Sequence, residues 1–169
     1  GFSVVGIDLD SSKCDAINAG NSYIADVPSS EVAALVNADR LRAVPDLAAA
    51  DSLDTINICV PTPLRKTRDP DMTYVLSAAQ WVKEHLRPGM LVILESTTYP
   101  GTTEEVMRSI LEETGLRAGY DFFLAYSPER VDPGNPQFQT HNIPKVVGGC
   151  SDDSTAIAAM LYGQIVENV

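Results

Sequence analysis

Basic residues are scarce in this sequence: 12 lysines and arginines stand against 23 aspartates and glutamates, and the net charge is −11 over 169 residues. A chain this acidic repels the phosphates of nucleic acids and the headgroups of anionic membranes, so we expect neither as a partner. Long apolar runs are missing as well, since no stretch approaches the roughly 20 apolar residues that a membrane-spanning helix needs. We therefore expect no transmembrane segment.

Cysteine is also rare. The three cysteines, Cys14, Cys59 and Cys150, are odd in number and lack the spacing of metal ligands, which predicts reduced thiols and no metal site. The first residues carry neither the basic stretch nor the cleavage site of a secretory leader, and with the reduced thiols this predicts a cytoplasmic protein. Because the sequence starts at Gly1, directly before a predicted strand, we expect it to be part of a longer chain.

The apolar residues follow strand and helix patterns in alternation. Strands are predicted at residues 2–8, 41–44, 54–60, 91–94, 121–126 and 144–149. Helices are predicted at residues 11–20, 29–36, 73–86, 103–115 and 151–165, with one helical turn at 46–51. The predicted side-chain caps of four of these helices are Ser11 or Ser12, Thr73, Thr102 or Thr103, and Ser151. The alternation predicts an open, mainly parallel α/β sheet with helices on both faces.

Three predicted strands end in rigid or hydroxyl-rich turns. The three ends read PTP (61–63), STT (96–98) and SPE (127–129). Each turn alone is equally well explained by turn formation or helix capping. The carboxyl ends of parallel strands share one edge of a sheet, however, and ligands of open α/β sheets bind beyond that edge. The convergence of the three ends therefore favours a binding or catalytic site there.

Three charged features leave alternatives open. Asp8 ends the first predicted strand, where dinucleotide-binding folds place an acid against the adenosine ribose, although a lone Asp there is more often a turn residue. Lys13 follows five residues later and either meets the same ribose or a phosphate, or is simply solvated. The charged segment 64–71 is either a lid or a solvated loop.

Five segments, in this order, resemble the N-terminal dinucleotide-binding domain of the UDP-glucose/GDP-mannose dehydrogenase family. They are VGID (5–8) with Lys13, CVPTP (59–63), ESTTYPGT (95–102), YSPER (126–130) and KVVGG (145–149). The run SPERVDPGN (127–135) is most similar to the branch that oxidises UDP-N-acetylhexosamines, particularly UDP-N-acetylglucosamine. The resemblance implies a Rossmann-like fold and an NAD-dependent enzyme of polysaccharide biosynthesis. Such an enzyme oxidises the C6 alcohol of a UDP-sugar to a carboxylate with two NAD⁺.

The resemblance also implies roles for individual residues. The implied cofactor contacts are Asp8, Lys13, Val60, Pro61, Thr62, Ser96 and Thr97. The implied substrate contacts are Glu129, Arg130 and Val131. Thr97 would help to orient the reacting water or alkoxide, and Glu129 would be the acid/base that hydrolyses a thioester intermediate. The negative charge of Asp8 favours NAD over NADP, because it repels a 2′-phosphate.

Several parts of the family pattern have no counterpart among these residues. They are the first strand with its G-x-G-x-x-G turn, the Gly-rich nucleophilic cysteine motif, the central helix and the UDP-binding C-terminal domain. We therefore predict one incomplete dinucleotide-binding domain, residues 1–169, that alone binds NAD poorly and does not turn over. The parent protein is expected to be a homodimer or higher homo-oligomer. The alternatives are another two-domain dehydrogenase, of the 3-hydroxyacid type, and a non-catalytic nucleotide-binding module.

Overall fold

The computed structural model describes residues 1–45, 53–65, 70–130 and 143–169. The chain divides into two compact units, Gly1–Ser52 and Leu53–Val169. Each unit consists of strands, mainly parallel, with helices packed against them. This arrangement confirms the predicted α/β class. The predicted helical turn at 46–51 lies outside the described residues.

The first unit is built on two parallel strands. Its β1 (Val4–Ile7) pairs in parallel with β2 (Leu41–Val44), and the chain between them forms α1 (Ser11–Asn18) and α2 (Ser29–Asn37). Both strands were predicted, the first with longer bounds. The side chain of Asn18 binds β2 directly: its amide nitrogen donates to the carbonyl oxygen of Ala43 at 2.7 Å, and its amide oxygen accepts from the Ala43 N–H at 2.8 Å. These two bonds fix α1 against β2.

The second unit contains a four-stranded sheet in the order β3-β4-β5-β6. Its strands are β3 (Thr55–Ile58), β4 (Leu91–Leu94), β5 (Phe123–Tyr126) and β6 (Gly148–Gly149), of which the first three are parallel and β6 is antiparallel to β5. All four residues of β4 are buried, as its uninterrupted apolar run predicts. The last strand is much shorter than its predicted bounds of 144–149. Gly149 packs so closely on Ser154 and the Thr155 N–H that a side chain there would collide with both.

Helices cover both faces of this sheet. Its α3 (Thr73–His85) and α4 (Arg108–Glu112) pack on the face that carries Val92 and Leu94. On the opposite face, α5 (Asp152–Tyr162) packs over Leu91 and Ile93. Because side chains alternate along a strand, odd-numbered residues of β4 point toward α5 and even-numbered ones point toward α3. The prediction of helices on both faces is confirmed.

Three of the predicted side-chain caps are wrong, although α1 and α3 begin at the predicted residues Ser11 and Thr73. Asp10, not Ser11 or Ser12, caps α1 by accepting from the Ser12 N–H at 3.0 Å. At the start of α3, the Asp71 carboxylate accepts from both the N–H and the hydroxyl of Thr73. The Thr73 side chain is therefore a donor to Asp71 and does not cap the helix itself. The predicted caps Thr102 and Thr103 lie instead in a π-helical turn, Thr102–Met107, that precedes α4. An Asp two residues upstream competes well for the first free N–H groups of a helix. Ser151 caps α5 as predicted.

The π-helical turn after β4 begins without a side-chain cap. Gly101 stands at its N-terminal boundary with a φ of 89°, a backbone conformation that residues with a Cβ rarely adopt. Thr102 is buried, and its hydroxyl oxygen accepts from the Thr98 hydroxyl at 2.7 Å. The Thr102 hydroxyl thus makes its contact within the turn, and it does not cap the helix. The hydroxyls of this segment are thus partly used to shape the turn.

Candidate cofactor and catalytic site

In the first unit, Asp8 follows directly after β1. One of its carboxylate oxygens accepts from the Asp10 N–H at 2.9 Å, and the other pairs with the Lys13 ammonium at 2.9 Å. The Asp10 N–H, followed by Lys13, lowers the pKa of Asp8, so its carboxylate stays charged at neutral pH. A carboxylate offers about four acceptor positions, so after these two bonds Asp8 can still accept from two hydroxyls. These properties fit a ribose-binding acid.

Lys13 is bound to the same carboxylate. Its ammonium lies 2.9 Å from Asp8, and this pairing raises the pKa of Lys13. About two fifths of each side chain is exposed (43% for Lys13 and 38% for Asp8), so the pair faces solvent. The sequence left open whether Lys13 meets the ribose, meets a phosphate or is solvated. The structure shows that its ammonium pairs with Asp8. A ligand that binds the Asp8 carboxylate therefore meets the Lys13 ammonium beside it.

In the second unit, the ends of β3 and β4 are tied together through Ser96. This residue is buried, and its hydroxyl donates to the carbonyl oxygen of Val60 at 2.7 Å. Pro61 is exposed and Thr62 is half-buried just beyond this contact. The Ser96 hydroxyl thus holds the segment that carries the predicted cofactor contacts Val60, Pro61 and Thr62.

Thr97 and Glu129 lie at the same edge of the sheet. Leu94 of β4 pairs with Tyr126 of β5, so both residues come three positions after neighbouring paired residues of parallel strands. Both side chains are exposed. The Glu129 carboxylate accepts from the Arg130 N–H at 2.6 Å, which orients one of its oxygens. The structure therefore brings the two predicted catalytic residues to one edge, as expected from the strand ends.

Two sequence predictions fall wholly or partly outside the described residues. Val131, the third predicted substrate contact, belongs to segment 131–142, and the charged loop at 64–71 includes residues 66–69. Arg130 is described, is exposed, and stands at the end of the segment that follows β5. The predicted substrate contacts are thus described only for Glu129 and Arg130.

A polar cluster around Glu95, the residue that follows β4, was missed by the sequence analysis. The Glu95 carboxylate accepts from the Asn57 amide at 2.7 Å, the Lys145 ammonium at 2.8 Å and the Tyr162 hydroxyl at 2.6 Å. We call these four residues the Glu95 cluster. Burial, followed by the Glu95 carboxylate, raises the pKa of Tyr162, so its hydroxyl stays protonated and donates. One sequence signal was present: Glu95 follows Leu91 and Ile93 in the alternation that faces α5, so a charge was directed toward a helix.

Cys59 lies next to this cluster and is not activated. The register of β3 and β4 puts Cys59 beside Glu95 on the same face, since Ile58 pairs with Leu94. Although Cys59 is exposed, desolvation by surrounding atoms raises the pKa of its thiol to about 11, and the Glu95 carboxylate adds to this increase. A thiol with such a pKa is protonated at neutral pH and is a poor nucleophile.

Neither a metal centre nor a membrane span is found in the parts of the chain that the structure describes. Within these residues, no three His, Cys, Asp or Glu side chains are grouped as metal ligands. No helix in the same residues is both long and apolar enough to cross a bilayer.

Comparison with known proteins identifies the family. Residues 1–166 match the model of the UDP-glucose/GDP-mannose dehydrogenase family, NAD binding domain. The chain belongs to this family. The predicted family and the predicted cofactor, NAD, are thereby confirmed, and a Rossmann-like domain accounts for the parallel strands and the acid after β1.

Two curated relatives in the family are named as dehydrogenases of UDP-sugars that carry an N-acetyl group. UDP-N-acetyl-D-glucosamine 6-dehydrogenase of Pseudomonas aeruginosa is 33% identical over 165 residues, which are 97% of this chain and 38% of that protein. UDP-N-acetyl-D-mannosamine dehydrogenase of Pyrococcus horikoshii is 34% identical over 168 residues, 99% of this chain and 40% of that protein. The chain thus spans about two fifths of the length of the curated relatives it matches.

Solved structures of the family share the fold. The structure of UDP-D-ManNAc dehydrogenase from Pyrococcus horikoshii superposes with a TM-score of 0.93 at 35% identity, over 99% of this chain and 40% of that one. The NDP-N-acetyl-D-galactosaminuronic acid dehydrogenase of Methanosarcina mazei superposes with a TM-score of 0.88 at 33% identity, over 97% and 37% of the two chains. The predicted fold class is confirmed by this likeness.

Proposed function

We propose that the protein carrying this chain is an NAD-dependent UDP-sugar 6-dehydrogenase. It oxidises the C6 alcohol of a UDP-N-acetylhexosamine, with UDP-N-acetylglucosamine as the first candidate, to a carboxylate. The observation that carries the proposal is the position of Thr97 and Glu129 after neighbouring parallel strands of a family NAD-binding domain. The relatives named for N-acetylated UDP-sugars support the substrate class.

In this proposal, the cofactor contacts are Asp8 and Lys13 in the first unit and Val60, Pro61 and Thr62 in the second unit. The charged Asp8 carboxylate accepts from the ribose hydroxyls, and Lys13 lies beside it. The segment of Val60, Pro61 and Thr62 lines the path of the cofactor and is held in place by Ser96. Bound NAD⁺ supplies the hydride acceptor for both oxidations.

The substrate side of the site belongs to Thr97, Glu129, Arg130 and Val131 in this proposal. Thr97 donates a hydrogen bond that orients the reacting oxygen. Glu129 takes a proton from the water that attacks a thioester, so that the carboxylate product forms and the thiol leaves. The thiol comes from another part of the protein, because the reactivity of Cys59 is suppressed and neither Cys14 nor Cys150 lies at the ends of β3, β4 or β5.

The organisation of the whole protein is part of the same proposal. Residues 1–169 constitute an incomplete NAD-binding domain, and other parts of the protein supply the nucleophilic cysteine and the UDP site. The protein acts in the cytoplasm as a homodimer or higher homo-oligomer. Its function falls in the biosynthesis of polysaccharides.

The test is an assay of the full-length protein with NAD⁺ and a panel of UDP-sugars. We expect formation of two NADH for each UDP-N-acetylhexosamine consumed, together with the corresponding uronic acid product. Formation of one NADH for each molecule of a 3-hydroxyacid oxidised would support the alternative, a two-domain dehydrogenase of the 3-hydroxyacid type. Binding of nucleotide without any NADH formation would support the non-catalytic module.

A further inference from the structure

The Glu95 cluster joins four separated parts of the second unit. Asn57 belongs to β3, Glu95 follows β4, Lys145 lies before β6, and Tyr162 ends α5. The ion pair within it is well shielded, since only 12% of the Glu95 side chain and 10% of the Lys145 side chain are exposed. The other ion pairs between described residues each include at least one side chain that is more than two fifths exposed. This pair is therefore unusual within the described residues.

Stability alone does not account for a pair in this environment. Removing both charges from water costs free energy that the attraction between them only roughly offsets, so apolar side chains of similar volume would stabilise the fold as well. A shielded ion pair differs from apolar packing in its directionality. Each of the three donors around Glu95 restricts where the carboxylate can lie.

Lys145 is itself fixed by three contacts. Its backbone N–H donates to the carbonyl oxygen of Asn168 at 2.9 Å, its ammonium pairs with Glu95, and that ammonium lies 4.9 Å from the centre of the Tyr162 ring. The cation–ring contact adds to the attraction. The Glu95 carboxylate is thus held by a donor whose own main chain and side chain are both restrained.

The restraint on Glu95 reaches the residues that follow it. The Glu95 N–H donates to the carbonyl oxygen of Ile58 at 2.9 Å, and the Ser127 N–H donates to the carbonyl oxygen of Leu94 at 3.0 Å. With its side chain held as well, Glu95 has little freedom to rotate. Ser96 and Thr97 come next in the chain, where β4 no longer continues as a paired strand.

We propose that Glu95 and Lys145 are positioning residues, whose ion pair holds the end of β4 so that Ser96 and Thr97 keep the orientation that the reaction requires. This inference rests on the proposed function of the site. Neither residue is assigned a contact with substrate or cofactor. Tyr162 and Asn57 support the same carboxylate from α5 and β3.

Two variants of the full-length protein separate positioning from stability. Lys145→Met leaves the largely shielded Glu95 charge without its ion-pair partner, so both Tm and kcat should fall. The double variant Glu95→Gln/Lys145→Met leaves no unpaired charge, so Tm should return toward that of the unsubstituted protein. If the pair positions Thr97, kcat should stay reduced by on the order of 10-fold to 100-fold while the KM values for NAD⁺ and UDP-sugar change little. Recovery of both Tm and kcat in the double variant would overturn the proposal.

Lys83→Met is the matched control. Lys83 pairs with Glu113 at 2.9 Å in another part of the unit, and the Glu113 side chain is largely exposed. The control makes the same chemical change at a more exposed ion pair, which joins α3 to the residue after α4. We expect kcat within about twofold of the unsubstituted protein, because exposed pairs contribute little. A loss of kcat equal to that of the double variant would count against positioning.

Hydrogen exchange gives a measurement that does not depend on activity. We expect faster exchange at residues 95–98 in Lys145→Met and in the double variant, and no change in Lys83→Met. Unchanged exchange would overturn the inference, whatever substrate the protein uses. If neither Lys145→Met nor the double variant folds, Tyr162→Phe serves instead. It removes one donor to Glu95 without changing any charge, and residues 95–98 should again exchange faster. An inactive unsubstituted protein would contradict the proposed function alone.

Discussion

The hydroxyl of Ser96 donates a hydrogen bond of 2.7 Å to the carbonyl oxygen of Val60, and this bond connects the ends of two neighbouring parallel strands. Ser96 is buried, so solvent has little access to its hydroxyl. A serine that the sequence analysis assigned to the cofactor is therefore engaged by the main chain of the segment that lines the predicted cofactor path.

Replacing Ser96 by Ala should destabilise the fold. The substitution removes the donor and leaves the Val60 carbonyl oxygen with one partner fewer, which costs about 1–3 kcal/mol in the free energy of unfolding. Urea denaturation of the two proteins measures the difference. Ser109→Ala is the control, because Ser109 donates a bond of the same length, 2.7 Å, to the Glu105 carbonyl oxygen on an exposed helix surface. Ser109→Ala should change the free energy of unfolding by less than about 0.5 kcal/mol. Equal losses of stability in the two variants would refute the role of burial at Ser96.

Replacing Asp8 by Asn should weaken NAD binding by the full-length protein. Hydrogen bonds to a charged group contribute about 1.5–3 kcal/mol, which corresponds to a Kd increase on the order of 10-fold to 100-fold. The preference for NAD over NADP should shrink as well, because the repulsion of a 2′-phosphate is removed. Calorimetric titration with both nucleotides measures the two effects.

The control for Asp8 is the same substitution two residues later. Asp10→Asn removes one negative charge from the same turn, and Asn caps a helix about as well as Asp does. Asp10 lies at the start of α1, and its carboxylate already accepts from Ser12. We expect little change in nucleotide affinity. If both variants lose affinity equally, the effect is one of net charge and not of ribose contact.

Replacing Glu129 by Gln should block the second half of the reaction in the full-length protein. The amide cannot take a proton from water, so the hydrolytic step should slow by on the order of 100-fold or more. Rapid-quench measurements should show a burst of NADH followed by slow turnover, with a covalent adduct visible by mass spectrometry. Glu84→Gln, an exposed glutamate in α3, should behave like the unsubstituted protein. Steady turnover without an adduct in the Glu129 variant would remove this residue from the mechanism.

The stability of the second unit should depend on the charge of Asp71. Its carboxylate accepts from the Thr73 hydroxyl, the Arg65 guanidinium and the Thr73 N–H, and these bonds lower its pKa well below the ordinary value of 3.8. A carboxyl group with a lower pKa in the folded state stabilises the fold above its unfolded pKa, and this contribution is lost as the pH falls through the folded pKa. The Tm difference between the unsubstituted chain and Asp71→Asn should therefore be constant above about pH 4 and shrink below it. A difference that grows on acidification would contradict the assignment.

The 169-residue chain alone should form no NADH from NAD⁺ and UDP-sugars. It contains no G-x-G-x-x-G turn to bind a pyrophosphate, and the pKa of about 11 keeps the Cys59 thiol protonated at neutral pH. Absorbance of NADH at high protein concentration measures this directly. The full-length protein, assayed in parallel, controls for the quality of substrate and cofactor. A signal that depends on UDP-sugar from the chain alone would show that these residues suffice for catalysis.

The strands could be predicted because their pattern is local. Leu91–Leu94 is an uninterrupted apolar run between a Pro-Gly turn and a polar segment, and the structure gives β4 the same bounds. The capping residues of the helices were less well predicted, since an Asp just upstream competes with Ser and Thr for the same N–H groups, as Asp10 does for α1. The edge shared by Thr97 and Glu129 followed from strand direction alone.

The Glu95 cluster could not be predicted in the same way. Glu95 and Tyr162 are 67 residues apart, and Glu95 and Lys145 are 50 apart. No periodicity in the sequence relates such distant positions, because their contact depends on how α5 crosses the sheet. The alternation along β4 shows that Glu95 faces α5, but it does not show which donors meet it there.

The two hydrogen bonds between Asn18 and Ala43 have a consequence for association between copies of the chain. The main-chain groups of an outer strand are a template for another strand, and pairing of this kind leads to aggregation. In the first unit, the N–H and the carbonyl oxygen of Ala43 are both already engaged by the amide of Asn18. A foreign strand therefore cannot extend the sheet past β2 at this position unless it first displaces that side chain.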